Sequence, residues 1–94
     1  MDNRKLAALR QLLYDMEKDV GLDQMNSVQR DMLYAATLVA AGSDSFTTGK
    51  LRKHPMVQSV AKPTFFRGLK ALVEAGLIAP DPQAPNGTYR LIVQ

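Results

Sequence analysis

Six cations fall between positions 45 and 78: Lys50, Arg52, Lys53, Lys62, Arg67 and Lys70. Glu74 is the one acid in that stretch, so it carries +5, more than the +3 of the whole chain. Residues 1–20 sum to 0, residues 21–44 to −2 and residues 79–94 to 0. Charge that served only solubility would be scattered. Gathered cations attract phosphate, and each phosphate they neutralise releases condensed counterions. The chemistry open to these residues is therefore the binding of a polyanion, with nucleic acid ahead of plain solvation.

Other chemistries find little material. There is no cysteine, so no disulfide and no thiolate metal site can form, and a reducing compartment is the default expectation. No paired carboxylates, Ser/His/Asp set, glycine-rich phosphate loop or metal-ligand cluster stands out, so neither an enzyme nor a cofactor is expected. Gly68 and Gly76 are too far apart to cradle phosphate. The single histidine, His54, precedes a proline and reads as a local cap or surface residue rather than a pH switch. No run of 18 apolar residues and no apolar leader is visible, which points to a cytoplasmic protein without a membrane span.

The elements that must position the cations can be read in outline. Ninety-four residues, 46% of them apolar, suit one small domain with a modest core. Residues 3–19 read as a helix capped by Asp2 or Asn3 and ended by Gly21. Its Leu6, Leu9, Leu13, Met16 and Val20 alternate spacings of three and four, a heptad-like seam widened by Leu12 and Tyr14. That seam can pack on the domain's own core or on the same helix of a second copy, and the second is favoured. Residues 1–21 are thus an N-terminal helix and possible dimerisation element, and residues 22–94 a domain of their own.

Within that domain a helix capped by Ser27 runs to about Ala41, its face built from Val28, Met32, Leu33, Ala36, Val39 and Ala40. Gly42 stops it, and residues 43–45 form a loop. Tyr34 reads as a polar-tipped core residue. Phe46 sits in a short extended piece. A brief helix from Gly49 to Lys53, capped by Thr47 or Thr48, points Leu51 inward and leaves Lys50, Arg52 and Lys53 outside. Pro55 breaks it, and Met56 and Val57 cover the core.

The next helix spans Lys62 to about Ala75. Pro63 suits its first turn, and Gly76 suits the left-handed position that closes it. Phe65, Leu69, Leu72 and Val73 form one face; Lys62, Phe66, Arg67 and Lys70 form the other. Leu77 to Ala79 begin a strand, and Pro80 to Pro85 form an irregular loop. Asn86-Gly87 reverses the chain into a second strand, Thr88 to Val93, with Tyr89, Leu91 and Val93 on one face. The fold class expected is mainly α with a small β-hairpin: a three-helix core plus an N-terminal helix.

The run PTFFRGLKALVEAGLI, Pro63 to Ile78, resembles the recognition-helix pattern of winged helix-turn-helix transcription regulators of the ArsR and MarR kind. The likeness extends in element order over residues 45–94. It implies that the homodimer favoured by the N-terminal seam binds double-stranded DNA, with this helix in the major groove and its N-terminal half at base edges. Carried over, it implicates Lys62, Thr64, Phe66, Arg67 and Lys70. Arg67 could take O6 and N7 of a guanine with its fork, hold a phosphate, or pair with Glu74 or Asp31. Lys62 and Lys70 would meet phosphate. Phe66 could touch a thymine methyl or fold back beside Val73. Lys50, Arg52 and Lys53 would hold the backbone beside the groove, and Arg90 lies on the returning strand.

Two departures from the family stand out. The loop between the strands has no cation and contains Asp81, so deep insertion of the wing is not expected. The cysteines of metal-sensing members are missing, so no metal is implied. Winged helices also serve as protein–protein modules. A protein-interaction role, or one as a plasmid or phage replication or accessory factor, is the alternative to a sequence-specific regulator, in which repression is the expected mode.

Overall fold

The computed structural model describes residues 2–92. It is mainly helical with a small antiparallel sheet: α1 (Asn3–Asp19), a 3-10 turn (Leu22–Gln24), α2 (Ser27–Ala40), β1 (Ser45–Thr47), α3 (Thr48–Lys53), α4 (Lys62–Glu74), β2 (Ile78–Pro80) and β3 (Thr88–Leu91). Val93, expected to extend the last strand, lies outside the described residues.

The expected two-stranded hairpin is one strand short. The sheet has three strands in the order β1-β3-β2. Phe46 stands opposite Tyr89, and Ile78 stands opposite Leu91. The short extended piece at Phe46 is not recognisable as a third strand from sequence, because three residues are too few to show alternation. β3 is the central strand, and its two edges pair with β1 and β2. Pro80 also ends β2 rather than starting the loop; β2 is an outer strand, where a missing N–H is tolerated.

Helix ends follow side-chain chemistry. Asp2 accepts from the Arg4 N–H at 2.9 Å and starts α1. At α2 the cap is Asn26 rather than Ser27: Asn26 accepts from the Gln29 N–H at 2.9 Å, and Gln29 accepts from the Asn26 N–H at 3.2 Å. This reciprocal pair is a capping box. Thr47 caps α3 by accepting from the Lys50 N–H at 3.2 Å. At the end of α4, Gly76 adopts φ 77°. The Gly76 N–H reaches the Val73 carbonyl and the Leu77 N–H reaches that of Leu72, which closes the helix and turns the chain into β2.

The core joins α2, α3, α4 and the sheet. Met32, Ala35 and Ala36 of α2 meet Leu51 of α3, Phe65, Leu69 and Leu72 of α4, Phe46 of β1, Ile78 of β2 and Val57 of the α3–α4 turn. The alanines and Gly68 let α2 and α4 approach closely. Met56, expected to cover the core with Val57, stays exposed.

α1 stands apart from this core. None of its residues is buried. Leu6, Leu9, Leu12, Leu13, Tyr14 and Met16 are exposed, and Val20 beyond its end is 70% exposed. The seam therefore does not pack on the domain's own core. The chain holds α1 near its C-terminal end instead, where the Tyr34 hydroxyl donates to the Glu17 carboxylate and Arg30 lies 3.8 Å from it. Arg30 also donates to the carbonyls of Leu22 and Met25, pinning the connector to α2.

Candidate nucleic-acid interface

α4 presents the two faces that its periodicity predicts. Phe65, Gly68, Leu69 and Leu72 are buried against α2 and α3, while Lys62, Phe66, Arg67 and Lys70 are exposed. Thr64 is half-buried at the edge between the faces. No side chain caps the helix start, where Ala61 holds the cap position. The first-turn N–H groups and the positive end of the helix dipole thus lie beside Lys62.

Phe66 does not fold back beside Val73. It is 43% exposed and meets Phe65 edge-on, with centroids 5.1 Å apart. The reason is helical phase: Phe65 takes the inward position, and its neighbour is rotated by about 100° towards solvent. Arg52 of α3 covers this pair, its guanidinium carbon 5.6 Å from the Phe65 centroid and 6.0 Å from that of Phe66. The contact ties α3 to α4 and fixes a cation beside an exposed ring.

Arg67 lies on the other edge of the exposed face. Its guanidinium donates to the Thr64 hydroxyl at 3.4 Å, one turn back. Among the described residues it pairs with neither Glu74 nor Asp31. Glu74 is instead 3.9 Å from Lys70, an exposed pair that water screens heavily. A shallow polar groove runs between Thr64, Arg67 and Gly68 of α4 and Asn26, Val28 and Gln29 at the start of α2. Asn26 and Gln29 were not singled out from sequence. Their Asn-x-x-Gln spacing was the available signal, but it marks a cap, not proximity to Arg67.

The remaining predicted cations do not all join this face. Lys50 and Lys53 are exposed on α3, the helix that carries Arg52. Lys50 borders a separate groove with Phe46, Thr47 and Thr88. Arg90 is exposed on β3, on the sheet face opposite to Tyr89 and Leu91, which pack on the core. It is therefore separated from the α4 cluster. His54 closes the turn after α3, its Nδ1 accepting from the Met56 N–H at 3.2 Å. The β2–β3 loop carries Asp81, which accepts from the Gln83 N–H, and no cation.

No protein-family model matches the chain, and neither a curated protein nor a solved structure matches it. No helix among the described residues is long and apolar enough to cross a membrane.

Proposed function

We propose that this chain is a winged helix-turn-helix regulator that binds double-stranded DNA sequence-specifically as a homodimer, with repression as its mode of action. α3 and α4 are the helix-turn-helix, and β2, β3 and their loop are the wing. One observation carries the reading. α4 is anchored on the core by one face and exposes Lys62, Phe66, Arg67 and Lys70 on the other, next to Arg52. A helix of this kind fits the major groove, which is about 12 Å wide. Lys62 and Lys70 would hold phosphates, Arg67 would read a base with its exposed fork, and Phe66 would meet a thymine methyl. The exposed α1 supplies the second half of a two-fold reader.

Mobility shift against genomic fragments tests this. A complex that weakens steeply with salt, and more steeply on random than on selected DNA, is the expected result. No affinity at low ionic strength would end the reading.

A protein-interaction role is the second reading, favoured by the uncharged wing tip and the exposed apolar face of α1. Capture of a partner from nuclease-treated lysate, together with no shift of DNA, would put it first.

A further inference from the structure

We infer that two copies of this chain pair through α1 in antiparallel orientation, which brings the start of α1 in one copy to the edge of an apolar groove in the other. This rests on the dimer part of the reading above and adds to it an orientation and a register.

The groove lies beyond the C-terminal end of α1's seam. Val20, Leu33, Leu38, Leu77, Leu91 and Ile92 line an open cleft of about 580 Å³. Leu38 is 62% exposed there. Val20 belongs to both surfaces, so the seam and the cleft form one continuous apolar strip. Monomeric proteins rarely leave such a strip to water. A stable interface buries roughly 800 Å² per partner, from about 20–30 residues. The seam alone supplies fewer residues than that, and the cleft extends the apolar surface at its end.

Charge identifies the occupant and its direction. Residues 2–10 carry Arg4, Lys5 and Arg10 against Asp2, a net +2. Residues 11–20 carry Asp15, Glu17 and Asp19 against Lys18, a net −2. The helix is thus complementary to itself only when reversed. With Leu6, Leu13 and Val20 in the a positions of a heptad and Leu9 and Met16 in the d positions, Lys5, Leu12 and Asp19 flank the seam in the g positions. An antiparallel pair sets Lys5 against Asp19 twice, with Leu12 meeting Leu12 between them. A parallel pair sets Lys5 beside Arg10, like against like. Antiparallel helix dipoles act in the same direction. In this register Leu6 meets Met16 and Leu9 meets Leu13, and the first turn of α1 in one copy comes to Val20 at the edge of the cleft of the other. The result is an isologous two-fold contact.

The chain has no cysteine, so orientation can be read by single-cysteine cross-linking of the full protein without DNA. Leu6→Cys and Met16→Cys should give a mixed disulfide when combined and none when oxidised alone. In the antiparallel pair each residue is offset from its own copy by about 15 Å along the axis, too far for a disulfide. A disulfide within either variant alone would establish the parallel pair and overturn the inference. Sedimentation should show the unmodified chain as a dimer. Leu9→Glu on the seam, exposed in the single chain and so harmless to its fold, should weaken self-association about 100-fold. A chain that stays monomeric, or a Leu9→Glu variant that dimerises as before, would sink the proposal. Neither outcome depends on DNA. Loss of the DNA reading with these results intact, or the reverse, separates the two.

Discussion

A Cβ placed on Gly68 would lie 2.6 Å from the sulfur of Met32, which is fully buried. This pair sets how closely α4 can approach α2, and so where the outer face of α4 stands. Gly68→Ala gains about 1 kcal/mol of helix propensity, but overpacking costs roughly 1–3 kcal/mol. A net loss is expected, read as a lower midpoint in urea. Gly49→Ala in α3 meets nothing within 4 Å and should instead stabilise by up to about 1 kcal/mol.

Ala41 ends α2 with φ 48°, in the left-handed region that a Cβ disfavours. The sequence places the stop at Gly42, one residue late. Ala41→Gly should therefore stabilise the chain, by roughly 0.5–1 kcal/mol, because the strain removed exceeds the entropy added to the unfolded chain. Thermal unfolding of the two proteins side by side would show it.

The Tyr34–Glu17 contact makes the attachment of α1 sensitive to alkali. Burial first, and then the hydrogen bond to Glu17 and its charge, push the Tyr34 phenol up from 10.0 to about 12. The folded state keeps this proton where the unfolded state loses it. The stabilisation is therefore complete below pH 10 and fades as the pH rises towards about 12. Tyr34→Phe should flatten that part of the profile relative to the parent. At neutral pH it should cost about 1 kcal/mol and speed amide exchange in α1.

Lys62 and Arg67 should differ in kind. If Arg67 reads a base, Arg67→Ala should cost roughly 1–3 kcal/mol of binding and relax sequence preference. Lys62→Ala should weaken selected and random DNA alike and lower the salt slope by about 1. Equal loss on both DNAs for Arg67→Ala would make it a phosphate clamp. Titrations at several salt concentrations distinguish these results.

Phe66→Ala leaves the core intact, because the ring is exposed. Folding stability should fall by roughly 1–2 kcal/mol, through the lost edge contact with Phe65 and the cation contact with Arg52. A thymine contact would appear as a loss on the selected site alone. Replacing that thymine by uracil, which lacks the methyl, should then have the same effect as the mutation.

Much of this was written in the chain. Apolar spacing and the residues at helix ends determined α1, α2 and α4 to within a residue or two, because capping and amphipathicity are local. The same periodicity determined that Lys62, Phe66, Arg67 and Lys70 would share a face. What depends on distant residues was settled only by folding. The pairing of β1 with β3 joins Phe46 to Tyr89, more than forty positions on. Arg52 could not be set over Phe65 and Phe66 until the α3–α4 turn was known. The seam of α1 could have lain on the domain's own core by its pattern alone. It lies outside because α3, α4 and the sheet already fill the buried face of α2, leaving Tyr34 and Arg30 to hold the helix by Glu17.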